Sequence, residues 1–366
     1  MMERRKVKNM FIVVGVVGIV LLLFMYIVFP PSSGKMPQFR DESGAVLPDS
    51  VSEKCYIDVD GGKIGMMIMA ENKNRPVLLL CGGGPGISEY LLEDMYPTGL
   101  AEKFVVCYLE YRGTGLSYAS DCRTEDLTTE RYIADVVAVT KYLSERFQQE
   151  RIYIMGHSFG SYVAIKTVQD FPQYYHAYFA MSQMCNQKES EYLAWEYMKE
   201  QYEQAGNKKM VERFEALPIR ESQEMYEQYM FSSMLRDTAM HELGVGTTRD
   251  MDSVITDIIF PSLRCKAFTW KERINIWRAK MISSKFPITY DAWNENVFEE
   301  VKTLEIPIYF FAGKYDYTCC YSLQEEFYNQ IEAPKKEFYV FEHAAHSPIF
   351  ECPEEAKEIF EQLFGE

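Results

Sequence analysis

Ser158 is flanked at two residues' distance by glycines, in Gly156-His157-Ser158-Phe159-Gly160, the spacing of a tight turn that presents a serine hydroxyl as a nucleophile. A serine hydroxyl attacks poorly unaided, so the turn implies a base to take its proton and an acid to hold that base. Both types occur far down the chain: Asp316 in Gly313-Lys314-Tyr315-Asp316, and His346 in Glu342-His343-Ala344-Ala345-His346-Ser347-Pro348, where His343 is a rival base. The three support acyl transfer. Ser158 would attack a carbonyl, the histidine would shuttle the proton, Asp316 would fix the imidazole tautomer, and water would release the acyl group from a serine ester. That chemistry needs no cofactor. The nine cysteines are irregularly spaced, with no C-x-x-C pair and no partnered histidines at ligand spacing, so no metal site is expected.

The elements that must carry these residues are legible around them. Ile152, Tyr153, Ile154 and Met155 form an apolar run suited to a buried strand, while Val163, Ala164, Thr167, Val168 and Phe171 recur at helical spacing. Ser158 therefore sits where strand turns into helix. Asp316 follows the apolar run Ile306 to Ala312, and His346 follows a strand over Glu337 to Phe341. Upstream, Cys55 to Val59 and Lys63 to Ala70 read as a hairpin turned by Asp60-Gly61-Gly62. Pro76 to Leu80 is wholly apolar, as in a sheet covered on both faces, and leads into Cys81-Gly82-Gly83-Gly84-Pro85-Gly86. This loop lacks the Lys-Ser/Thr pair of a phosphate cradle. It reads instead as a loop whose backbone N–H groups approach a developing oxyanion.

A further strand is expected over Phe104 to Leu109. Next comes a helix capped at Thr128 or Thr129 and bearing Ile133, Val136, Val137, Thr140, Leu143 and Phe147, then a strand within Tyr174 to Met184. Such alternation predicts an α/β chain with a mostly parallel, doubly wound sheet. Between 185 and 300 the chain becomes charged and rich in Met and Tyr without buried-strand runs, which predicts an inserted helical cap. Tyr192, Trp195, Met198, Tyr202, Tyr226, Tyr229 and Met230 read mainly as that cap's own core.

Twenty consecutive uncharged residues, Met10 to Phe29, are long enough for one transmembrane helix. Arg4, Arg5, Lys6 and Lys8 precede it, which predicts a cytoplasmic basic tail over 1–9, an anchor over 10–29 and an outward-facing catalytic domain at the cell membrane. A linker over 30–50 would lead to a core in two parts, 51–184 and 301–366, on either side of the cap. The net charge of −16, with no basic stripe beyond the N-terminus, excludes nucleic acid as a partner.

Gly82-Gly83-Gly84-Pro85-Gly86 and Glu110-Tyr111-Arg112-Gly113-Thr114-Gly115-Leu116-Ser117 resemble the His-Gly-Gly-Pro-Gly and Asp-Gln-Arg-Gly-x-Gly-x-Ser signatures of the prolyl iminopeptidase-like branch of the α/β-hydrolases. The resemblance runs over roughly 55–184 and 303–363, and the order Ser158, Asp316, His346 is the one that superfamily uses. It implies the α/β-hydrolase fold, with Gly84 and Phe159 N–H groups forming the oxyanion hole and Gly83 as the alternative donor. It also implies His346 over His343, because the chain continues into Ser347-Pro348 and a helix from Pro353. In the resembled family cap glutamates bind the substrate's free amine, which makes Glu191 and Glu196 the candidates here. The chain departs from the pattern at Gly82, at Glu110-Tyr111 and in its Gly-His-Ser-Phe-Gly turn. The implied activity is release of N-terminal residues from short peptides, with a carboxylesterase acting on small acyl esters as the alternative and a catalytically silent binding protein third. Cys319 and Cys320, just past Asp316, would make such an enzyme sensitive to bulky thiol reagents if exposed.

Overall fold

Apolar runs bounded by turn residues become strands wherever both faces can be covered, and eight do so in the computed structural model. It describes the backbone of residues 2–364 and all side chains of that range except 2–9, 11, 22 and 28. The strands are β1 (Val51–Val59), β2 (Gly62–Ala70), β3 (Val77–Cys81), β4 (Val105–Leu109), β5 (Ile152–His157), β6 (Tyr175–Met181), β7 (Ile308–Gly313) and β8 (Lys336–Phe341). They form one sheet in the order β1-β2-β4-β3-β5-β6-β7-β8. β1 and β2 pair antiparallel about the Gly61-Gly62 turn, as do β2 and β4, and every other neighbouring pair is parallel.

Two cores follow from the period-two alternation of the strands. Leu79, Cys81, Ile154, Tyr178 and Phe310 face one side. There they meet the helices Thr129–Phe147 and Phe159–Asp170. Leu78, Leu80, Met155, Phe179 and Phe311 face the other side, covered by Ile359 and Phe360 of the helix Pro353–Phe364. β3 and β4 are buried along their whole length, as strands with helices on both faces must be. The site sits where the topology reverses: β3 leads to β4 on one side, and the chain then crosses to β5 on the other, opening a crevice at the carboxyl ends of β3 and β5.

No strand occurs between Met181 and Ile308. The inserted segment is helical, as expected, but it does not form a single separate cap. Only Ala194 to Val245 builds its own cluster. Cys265, Ala267, Phe268 and Ile276 pack into one face of the main core, while Phe286, Ile288, Ala292, Val297 and Val301 pack into the other. Helical spacing shows that a face is buried and leaves open which surface buries it.

The expected linker over 30–50 is also corrected in part. Met36 is buried, Phe29 packs on Trp270 with ring centroids 5.2 Å apart, and the Pro30 carbonyl accepts from the buried Arg273 guanidinium at 3.0 Å. The residues before it form a helix, Met2–Val28. Its described side chains, Met10, 12–21 and 23–27, are exposed almost throughout. Among the described residues no helix is long and apolar enough to cross a membrane. The side chains of Arg4, Arg5, Lys6 and Lys8, expected in a cytoplasmic tail, lie outside the described residues.

Candidate active site

β5 ends at His157 and the next helix begins at Phe159, so a single residue makes the reversal. That residue, Ser158, has φ 55° and ψ −126°, a conformation that costs an L-residue energy and is held only by its surroundings. Gly160 supplies part of the hold. A Cβ there would lie 1.9 Å from the Cys81 carbonyl oxygen, so only a glycine lets the helix start against the end of β3. Phe159 is the first helical residue; its N–H has no partner inside the helix and no acceptor among the described residues.

The glycine loop lies directly against Ser158. A Cβ on Gly83 would be 3.2 Å from Ser158 Cβ and 3.7 Å from Ser158 Oγ. The Gly83 N–H, however, donates to Glu89 Oε2 at 2.9 Å, so this donor is already used. Gly84, at φ 117°, has an N–H without an acceptor among the described residues. Gly84 and Phe159 thus have the free N–H groups, whereas Gly83 has none to offer. The helix Trp270–Ile282 roofs the loop so closely that a Cβ on Gly86 would come within 3.0 Å of Lys280 Cα.

Asp316 and His346 are brought together by the ends of β7 and β8. His346 Nδ1 lies 3.0 Å from each carboxylate oxygen of Asp316. Asp316 is completely buried and accepts further bonds from the Thr318 and Cys319 N–H groups, at 2.9 and 2.8 Å, and from Gln324 Nε2 at 3.1 Å. A carboxylate so surrounded by donors is held in one orientation. It orients the His346 ring through Nδ1 and leaves Nε2 turned away from the acid. No hydrogen bond joins Ser158 Oγ to His346 among the described residues; such bonds commonly tighten only when substrate is bound. His343 is exposed and lines a surface groove of about 530 Å³ with Tyr96, Arg249 and Glu351, apart from Asp316.

Two cap candidates are engaged elsewhere. Glu191 is fully buried, but both its oxygens lie 2.7 Å from the Arg236 guanidinium and one accepts from Gln187 Nε2 at 3.0 Å. Glu196 is half-exposed and paired with Arg220 at 2.7 Å. In this arrangement neither carboxylate is free to receive a substrate amine, and the reason is a cation that no local spacing reveals. The adjacent thiols are not exposed. Cys319 and Cys320 are buried, and burial pushes the Cys319 thiol well above the ordinary cysteine range and that of Cys320 up to about 11, which leaves both unreactive.

Several residues with no distinctive spacing hold the site. Glu351 accepts from Ala345 and Ser347, the neighbours of His346, at 2.9 and 3.1 Å, and from Arg249 N at 2.7 Å. It thereby clamps the histidine loop to the 246–249 segment, and burial pushes its carboxyl up to about 7. The His346 carbonyl accepts from Ser182 Oγ and faces His157 Nε2, both at 2.8 Å. Ser182 and Glu351 could not be singled out in the sequence. His157 could have been, as a polar residue inside the turn.

The chain is similar to several known proteins. The sequence pattern of the prolyl oligopeptidase family matches residues 97–243. A curated relative, "Probable aminopeptidase YbaC" of Bacillus subtilis (strain 168), is 26% identical over 299 residues, covering 81% of this chain and 91% of its own. Among solved structures, the proline iminopeptidase of Mycobacterium smegmatis is similar with a TM-score of 0.63 at 16% identity, covering 85% of this chain and 97% of that one. VinJ is similar with a TM-score of 0.61 at 14% identity, covering 85% and 98%. The chain has the α/β-hydrolase fold with a mostly parallel eight-stranded sheet, and it is a serine hydrolase enzyme.

Proposed function

We propose that Ser158 is the nucleophile, His346 the general base and Asp316 its orienting acid, and that the enzyme releases N-terminal residues from short peptides through a serine acyl-enzyme. One observation carries the reading: a serine at φ 55° beside a glycine loop, with a buried His346–Asp316 pair at the ends of neighbouring strands. Attack by Ser158 Oγ would place the oxyanion toward the free Gly84 and Phe159 N–H groups. Donors set in advance against developing charge are worth about 10²–10³ in rate each. His346 would take the serine proton, pass it to the leaving amine, and then activate water.

The peptidase assignment is supported by the named activity of the Bacillus subtilis relative. The ester reading is favoured by a specific observation, since Glu191 and Glu196 already have cationic partners. A pair of matched substrates, one with a free N-terminal amine and one N-acetylated, separates them. An aminopeptidase that places the amine on a desolvated carboxylate prefers the free amine by about thirty-fold or more in kcat/KM, equivalent to at least about 2 kcal/mol. Equal rates on the two, or faster turnover of a short acyl ester, would make the enzyme a carboxylesterase.

We also propose that the N-terminal helix anchors the enzyme in the cell membrane with the catalytic domain outside. The uninterrupted apolar run Met10 to Phe29 and the four preceding cations support this, and the exposure of the described side chains from Ile12 to Ile27 leaves them uncovered by the rest of the chain. Protease added to intact cells should then cut the catalytic domain. Resistance in intact cells with cleavage after lysis would place that domain inside.

A further inference from the structure

His157 precedes the nucleophile, is 3% exposed, and has no task in the acyl transfer described above. Its ring is gripped at both ends. Nε2 lies 2.8 Å from the carbonyl oxygen of His346, an atom that only accepts, so Nε2 must carry a hydrogen. Nδ1 lies 2.6 Å from Glu89 Oε1, and the other oxygen of the same buried carboxylate accepts the Gly83 N–H at 2.9 Å. With both ring nitrogens facing acceptors, the hydrogen-bond count requires a second proton between Nδ1 and Glu89.

The geometry points to a buried imidazolium–carboxylate pair, His157 with Glu89, that acts as a positioning unit tying the oxyanion loop, the nucleophile turn and the histidine loop into one register. Each contact reaches a different part of the site: Glu89 holds Gly83, the ring belongs to the residue beside Ser158, and Nε2–H holds the backbone of His346. By occupying the Gly83 N–H, Glu89 also settles which loop donor stays free for the oxyanion, namely Gly84. The groups facing the ring are Glu89 from the segment after β3, Asp316 from the end of β7, and His346 beyond β8, whose ring centroid is 5.1 Å away. The Phe350 ring closes the remaining side at 6.2 Å. Burial disfavours the imidazolium, but attraction to Glu89 and its hydrogen bond, with those to the His346 carbonyl and the Asp316 charge, outweigh it and hold His157 above the ordinary histidine value. A raised folded value means that this stabilisation is complete below about pH 6.5, the unfolded value, and is lost as pH rises through the folded one.

The test has one arm that is independent of catalysis and one that rests on the proposed role of Ser158. In the full-length protein labelled with ¹⁵N-histidine, the ring signals absent from His157→Gln are expected to show both nitrogens protonated at pH 7.5. A neutral ring with one bare nitrogen would overturn the proposal, whatever the enzyme's activity. In the second arm, Glu89→Gln, which cannot accept from both Gly83 and His157, should lower kcat by about a hundredfold with KM changed less than about threefold, and Glu89→Asp should recover part of the loss. A folded Glu89→Gln enzyme with unchanged kcat would overturn it. If Ser158 were not the nucleophile, Ser158→Ala would retain turnover, while the ring-nitrogen result would still decide the pair's protonation. That result on the unmutated chain also decides the matter if Glu89→Gln does not fold.

Discussion

Ser158→Ala is expected to abolish turnover and covalent labelling by a fluorophosphonate, with kcat falling by about a million-fold, while the unfolding midpoint stays nearly unchanged. The chemical loss is large because no neighbouring hydroxyl can replace the nucleophile: Ser161 Oγ, the nearest serine in the helix, donates to the Ser158 carbonyl and accepts from Met184 N–H. The stability change is small because Ser158 Oγ makes no hydrogen bond among the described residues. Alanine also retains the Cβ and inherits the same strained φ of 55°. Removing a half-buried hydroxyl without partners falls in the range of about ±0.5 kcal/mol. The residual rate, about 10³ above water, would come from the Gly84 and Phe159 N–H groups and from substrate binding. Retained labelling in a folded Ser158→Ala protein would remove Ser158 from the mechanism.

The histidines give the second large contrast. His346→Ala is expected to lower kcat/KM by about 10⁴-fold or more, against less than about twofold for His343→Ala. Of these two, His346 alone has its Nδ1 on a buried carboxylate, 3.0 Å from both Asp316 oxygens, which orients the ring with Nε2 turned away from the acid. His343 is exposed and has no such partner among the described residues. His346→Ala should still fold, because Asp316 keeps its three other donors and the backbone of residue 346 keeps its contacts to Ser182 and His157. Initial rates on a chromogenic substrate over pH 5–9 check this. Equal losses in the two variants would reopen the choice of base.

The sequence by itself determined the strands and the turn that carries Ser158. Each is written in short stretches whose chemistry is local: a glycine on either side of Ser158 where a helix meets a strand end, continuous apolar runs where both sheet faces are covered, and a Gly-Gly turn that sets the β1–β2 register. Strand boundaries were read to within a few residues for the same reason. Thr128 shows how local such signals are, since it accepts from Arg131 N as the helix cap its position implied.

Only the tertiary structure decided which charges are spoken for and which elements share a core. Glu89 and His157 are 68 residues apart, His157 and the His346 carbonyl 189, and Glu191 and Arg236 45. None of these pairs leaves a spacing in the chain. A buried carboxylate looks the same in sequence whether it awaits a substrate amine, as Glu191 was expected to, or is already neutralised by an arginine from another helix. The same limit applies to packing. The segment 260–301 has the charged, aromatic composition of the cap, yet its apolar faces join the two main cores, because periodicity records that a face is buried and only the arrangement in space names its partner.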